Sequence, residues 1–193
     1  MKTTTSTQDL PVADLQTARL ILRPATTTDV APLLAYHLNN RQHLQPWEPL
    51  RGAEFYTRPA LQSRLENMAL HVRSGNALHW LIWHPDSDTL LGECNFTNII
   101  RGIFQACHLG YSIAESAQGQ GFMYEALSRS IEYVFDTYGL HRIMASYRPE
   151  NIRSEKLLKR LGFETEGVAR SYLKINGQWA DHVLTSRINP QTT

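Results

Sequence analysis

Gly110-Tyr-Ser-Ile-Ala-Glu-Ser-Ala-Gln-Gly-Gln-Gly-Phe-Met-Tyr-Glu-Ala126 is the stretch from which the fold is read. A strand ends near Ile113, a loop with Gly119 and Gly121 follows, and a long helix starts at once. Met123, Ala126, Leu127, Ile131, Val134, Phe135 and Tyr138 recur at helical spacing, and Gly139 ends the run. The first turn of such a helix has N–H groups without intrahelical partners, and its dipole favours an anion there. Glycine at 119 and 121 lets backbone approach a phosphate without a Cβ in the way. A strand-to-helix turn that uses glycine only for steric relief reads equally well. The loop is neither a dinucleotide-binding G-x-G-x-x-G nor a Walker loop, because no Lys-Ser/Thr pair follows Gly121.

Working outward, Arg19–Pro24 reads as a strand stopped by proline, and Thr28 and Asp29 as the cap of a helix through about Leu38. Gln45-Pro-Trp-Glu-Pro49 is irregular, and a helix is expected from about Pro59 to Arg73. Strands follow at about Leu78–His84, Leu90–Thr97 and Phe104–Ile113. Beyond the long helix come a strand at Arg142–Tyr147, a helix capped by Asn151, and two strands joined at Asn176-Gly177. This order predicts an α+β domain: a mixed, mostly antiparallel sheet of about seven strands with four helices, and one parallel pair where a helix connects strands. Residues 1–17 read as a flexible arm, 18–189 as a single domain, and 190–193 as a tail.

Composition narrows the function. Nineteen Lys and Arg against eighteen Asp and Glu leave a net charge of +1, so no basic field for DNA is expected. The longest strictly apolar run is four residues, which excludes a membrane-spanning helix, and Met1–Gln8 has no apolar segment of a secretory signal. A cytoplasmic location is expected. Eight histidines show no metal spacing, so no metal site is expected. Cys94 and Cys107 are expected to stay thiols, and lie nearly opposite each other if their hairpin turns at Ile100-Arg101.

Gln118-Gly-Gln-Gly121-Phe-Met123 resembles the Gln/Arg-x-x-Gly-x-Gly/Ala signature of the GNAT acetyltransferase superfamily, with Met123 in place of the usual last Gly or Ala. Asn151-Ile-Arg-Ser154, Leu161-Gly-Phe163 and Glu166-Gly167 resemble its ribosomal-protein (RimJ/RimL) branch. Gln45–Pro49, Asn95–Asn98, Leu109–Ile113, His141–Ala145 and Gly177–His182 strengthen the likeness. The resemblance implies acetyl-CoA as cosubstrate, held by Ile113, Gln118, Gly119, Gln120, Gly121, Phe122, Met123, Asn151 and Ser154. It also implies a protein N-terminus as acceptor, N-terminal alanine of a ribosomal protein, and places the Ser154 hydroxyl beside the thioester sulfur.

Alternatives stay open at this point. Asn151 and Ser154 are also ordinary helix-capping residues. Glu125 is a catalytic candidate or one half of an ion pair with Arg129. Glu93 could face an amine, but alternation alone cannot assign its side of the sheet. A two-residue turn at Asn176-Gly177 would pair Glu166 with Arg187, Tyr172 with Asp181 and Ser171 with His182. An α-amine, with pKa near 8, is neutral far more often at pH 7 than a lysine, and no unmistakable general base is visible. A small-molecule amine acceptor, or a ribosome-associated assembly factor with secondary CoA binding, are the competing functions.

Overall fold

The computed structural model describes residues 12–87 and 89–192. Eight strands form one sheet: β1 (Leu15–Gln16), β2 (Ile21–Pro24), β3 (Leu78–His84), β4 (Thr89–Ile100), β5 (Ala106–Ile113), β6 (Arg142–Tyr147), β7 (Glu164–Ile175) and β8 (Gln178–Ile188). Five helices accompany them: α1 (Val30–Asn39), α2 (Arg41–Leu44), α3 (Arg58–Arg73), α4 (Phe122–Tyr138) and α5 (Ile152–Arg160). The sheet order is β1-β2-β3-β4-β5-β6-β8-β7. Every neighbouring pair is antiparallel except β5 and β6, which α4 connects.

The expected α+β architecture is present with one more strand and one more helix. The extra strand corrects the boundary of the arm: Leu15 pairs with Leu22 and is buried, so the folded chain begins before residue 18. Residues 1–11 lie outside the described residues. The extra helix is the single turn α2, and the prolines after it allow only a 3-10 turn over Gln45–Trp47. Entry into α1 is also shifted. Thr26 caps a 3-10 turn whose third residue, Asp29, returns a hydrogen bond to the Thr26 N–H, which is a capping box.

Alternation on the central strands assigns two faces. Trp80, Cys94 and Tyr111 stand opposite one another on β3, β4 and β5. Trp80 meets Tyr133 of α4 edge-on and Cys94 lies beside Ser130, so this is the α4 face. Leu81, Glu93 and Ser112 form the next row and point the other way, where Glu93 meets Arg64 of α3 and Ser112 meets Tyr36 of α1. Gly92 has to be glycine, because a Cβ there would lie 2.3 Å from the Ser112 carbonyl oxygen.

Two expected registers are corrected. Cys94 faces Tyr111, and Cys107 is not opposite it, because Ile100 still pairs with Ala106 and the hairpin turns over residues 101–105 rather than at Ile100-Arg101. Both thiols are buried and pushed up to about 12 by that burial. The last hairpin turns at Asn176-Gly177 as expected and keeps that register as far as Leu173↔Ala180. Arg170, Ser171 and Tyr172 then oppose Asp181 alone, and the Asp181 carboxylate accepts the Ser171 N–H at 2.8 Å. Past this bulge Ala169, not Ser171, faces His182, and Glu166 sits in a second irregularity rather than opposite Arg187. Its partners are Arg142 and the Ser186 hydroxyl.

Candidate active site

The parallel pair holds together over three residues only, Ala106↔Arg142, Cys107↔Ile143 and His108↔Met144. Beyond them β5 stays with β4 through Ile113↔Gly92, while β6 stays with β8 through Tyr147↔Val183. The sheet therefore parts between Leu109–Ile113 and Ala145–Tyr147, and edge backbone faces the gap. An extended chain carrying amides can pair with such an edge as an added strand does.

At the end of β5 the backbone runs through a 3-10 turn (Glu115–Ala117) into the glycine loop and α4. Gly119 and Gly121 have φ of +74° and +79°, which L side chains rarely adopt, and a Cβ on Gly119 would meet nothing within 4 Å. No side chain caps α4. Its first N–H groups are thus left without side-chain partners, the arrangement that favours an anion. Gln118 anchors the loop on two sides, to His43 Nε2 at 2.8 Å and to Arg153 of α5. Phe122 and Met123 are buried, so only their backbone can serve the loop. A cavity of about 680 Å³ adjoins it, lined by Gly119–Gly121 and Tyr124, by Arg19, Arg129 and Arg160, and by Glu125 and Glu132.

Glu125 does not pair with Arg129. Its carboxylate accepts the Thr17 hydroxyl at 2.6 Å, the Arg19 N–H at 2.9 Å and Arg19 Nε at 2.7 Å. Burial raises its pKa, but these bonds outweigh it and hold the carboxyl below its usual range. Arg19 also donates to the Gln120 carbonyl at 3.0 Å and lies over the Phe122 ring. Glu125 is thus a strap for the loop. Arg19 was invisible as a site residue in the sequence, since a cation at a strand start has no signature.

Ser154 sits in the first turn of α5, where its N–H donates to Asn151 Oδ1 at 3.1 Å. The capping reading of Asn151 therefore holds. Tyr111, in the parted stretch of β5, was not singled out by the sequence, because aromatic residues on strands are usually core. Its Oη is buried without a hydrogen-bond partner. Burial pushes the phenol up to about 12, and the neighbouring Ser154 side chain acts in the opposite direction. An orphaned buried hydroxyl at the gap fits a site that a bound chain completes.

Glu93 lies on the opposite face and is spoken for. Arg64 Nη2 donates to both its carboxylate oxygens, at 3.1 and 2.9 Å. Burial alone would raise its pKa, but the Arg64 guanidinium and its hydrogen bonds outweigh that and lower it. Arg64 Nη1 lies 2.8 Å from His37 Nε2, and a guanidinium only donates, so His37 accepts there and is neutral. Tyr36 Oη and Ser112 Oγ are 2.9 Å apart on this face.

Residues 40–48, from the end of α1 past α2, bridge the mouth of the gap. Asn40 Oδ1 accepts the Glu115 N–H at 2.9 Å, the Pro46 carbonyl accepts Arg148 Nη1 at 2.9 Å, and the Glu48 carbonyl accepts the Asn176 N–H at 2.8 Å. The segment thus passes from the end of β5, by the β6–α5 junction, to the tip of the β7–β8 hairpin. Among the described residues no group of three or more His, Cys, Asp or Glu could hold a metal, and no helix is long and apolar enough to cross a membrane.

A sheet parted beside a helix N-terminal loop is the arrangement of an acyl-CoA-dependent transferase, and the chain belongs to the GNAT acetyltransferase family, whose domain matches residues 19–164. As a member it is an acetyl-CoA-dependent N-acetyltransferase of the RimJ/RimL branch. It is 44% identical over 185 residues to [ribosomal protein uS5]-alanine N-acetyltransferase of Escherichia coli, covering 96% of this chain and 95% of that protein. To the ribosomal-protein-serine acetyltransferase of Escherichia coli it is 30% identical over 172 residues, 88% of this chain and 92% of that one. Among solved structures, ribosomal-protein-S5-alanine acetyltransferase from Vibrio fischeri has a TM-score of 0.89 at 36% identity, covering 94% of this chain and all of that one. Mycobacterium smegmatis RimJ in complex with CoA-disulfide has a TM-score of 0.84 at 30% identity, covering 89% of this chain and 83% of that one.

Proposed function

We propose that this enzyme transfers acetyl from acetyl-CoA directly to the N-terminal α-amine of a ribosomal protein, with alanine as the first residue. The observation that carries this reading is the end-to-end similarity to a uS5-alanine N-acetyltransferase, 44% over 96% of the chain. A ribosomal acceptor places the reaction in the cytoplasm.

The residues fit the chemistry such a transfer needs. The amine's lone pair attacks the thioester carbonyl carbon and a C–N bond forms. The C–S bond then breaks, with its electron pair going to sulfur, and the nitrogen gives up a proton. The N–H groups of residues 119–123 hold the pyrophosphate, with Arg19 and Glu125 fixing the loop. Ser154 Oγ–H donates to the departing thiolate, where one preorganised donor lowers the barrier most. Tyr111 Oη–H, unpartnered in the free enzyme and kept protonated by burial, donates to the Ser154 oxygen once the cosubstrate is bound. Glu93, bound to Arg64, is structural, so no free carboxylate on the central strands serves as base. That suits an α-amine, of which about a tenth is already neutral at pH 7.

Synthetic peptides test the acceptor. Peptides with a free N-terminal alanine are acetylated by the purified enzyme, while the same peptides blocked at the N-terminus but carrying a lysine are not. Equal rates on both would remove the N-terminal assignment. Mass spectrometry of ribosomal proteins from a deletion strain then identifies the target by its lost acetyl group.

A further inference from the structure

The structure assigns Glu48 as the group that receives the acceptor's α-ammonium at the mouth of the parted sheet. The inference rests on the acceptor being a protein N-terminal amine. The mouth is bridged by residues 40–48, whose tethers to Glu115, Gln118, Arg148 and Asn176 surround the gap on three sides. Glu48 is the one acidic residue of the bridge, and at 21% side-chain exposure it is half-buried yet reachable.

Glu48 is the one carboxylate on a cavity that Arg41 and Arg51 also line. That cavity, of about 50 Å³ and lined as well by His37 and Tyr56, has room for a group as small as an ammonium on one carbon. The cations nearby keep their charge but are held in place by other contacts. Arg41 and Arg51 lie over the rings of Tyr56 and Phe55 at 4.6 and 4.5 Å, and Arg64 is bound to Glu93. His37 is neutral by its bond to Arg64. Arg51 is the ion-pair partner of Glu48, with Nε 3.6 Å from Oε2, and this single long contact leaves carboxylate lone pairs for a ligand. Burial also raises the Glu48 pKa, with Arg51 opposing, as for a carboxylate short of partners. Glu93, a buried acid on this face, has both oxygens taken by Arg64.

The test compares two peptides, one with N-terminal alanine and one in which propionyl replaces that residue, so that only the α-ammonium is missing. Calorimetry on the CoA-loaded wild-type enzyme should show the ammonium peptide binding at least about tenfold more tightly, a typical value for one charged contact. In Glu48→Gln this preference should fall below about twofold, with KM for the alanine peptide rising tenfold or more and CoA affinity unchanged. Arg51→Gln removes the internal ion pair from its other side and should keep the preference. If Glu48→Gln keeps the preference, or Arg51→Gln loses it equally, the assignment is overturned. A wild-type enzyme inactive on the alanine peptide would instead sink the proposed acceptor class, which the first assay reads separately.

Discussion

Arg19 and Glu125, 106 residues apart in sequence, are joined twice: the Arg19 backbone N–H donates to one carboxylate oxygen at 2.9 Å and its Nε to the other at 2.7 Å. The strand entering the sheet is thereby fastened to the first turn of α4, and the Arg19 guanidinium reaches on to the Gln120 carbonyl. Glu125→Ala should therefore raise the dissociation constant of acetyl-CoA about tenfold, the scale of one charge-assisted contact. At saturating cosubstrate kcat should stay near wild type. A large loss of kcat with unchanged affinity would return Glu125 to the catalytic residues.

Gly121→Val should abolish acetyl-CoA binding by calorimetry while the far-ultraviolet circular dichroism stays native. At φ +79° a branched side chain is strained, and its Cβ would come within 3.5 Å of Arg19 Nη2. Wild-type affinity in this variant would show that the phosphates sit elsewhere.

Ser154→Ala should lower kcat and kcat/KM together by about 10–1000-fold, with little change in cosubstrate affinity, as for a donor used only in the transition state. Tyr111→Phe should cost part of that factor, and nothing further in the Ser154→Ala background, because its hydroxyl works through Ser154. Additive losses in the double mutant would separate the two residues. Asn151→Ala serves as the capping control, costing about 0.5–2 kcal/mol of stability in urea unfolding.

Stability should fall as pH drops from about 6.5 towards 4. Burial, reinforced by Arg64 and opposed by Glu93, lowers the His37 pKa from 6.5 to about 4. Between those values the unfolded chain takes up a proton that the folded one refuses, a loss of about 3 kcal/mol at most across the window. Glu93, whose pKa is lowered from 4.5, adds to the loss only below that value, where the unfolded carboxyl protonates first. In His37→Gln, whose side-chain oxygen can still accept from Arg64 but cannot titrate, the slope between pH 6.5 and 4 should flatten. An unchanged slope would mean that other groups, such as His79 and His108, carry it.

Much of the fold was legible because it rests on local chemistry. Periodicity located α4 from Met123 to Tyr138, Asn151 marked the start of α5, and Asn176-Gly177 the last hairpin, each a preference of residues close in sequence. The Gln118–Met123 loop was legible for the same reason, since a strand, two glycines and a helix N-terminus are contiguous. What tertiary structure alone decided is every pairing across distance. Alternation could not choose the face of Glu93 until Arg64 claimed it, and helical spacing offered Arg129 to Glu125 although Arg19 took it. The register of β7 and β8 slipped where Asp181 captured the Ser171 N–H. Tyr111 gained its meaning only where β5 and β6 part. Spacing within one element follows from bond geometry, whereas partners of charged and buried polar groups are set by which distant surfaces pack together and leave them to be satisfied.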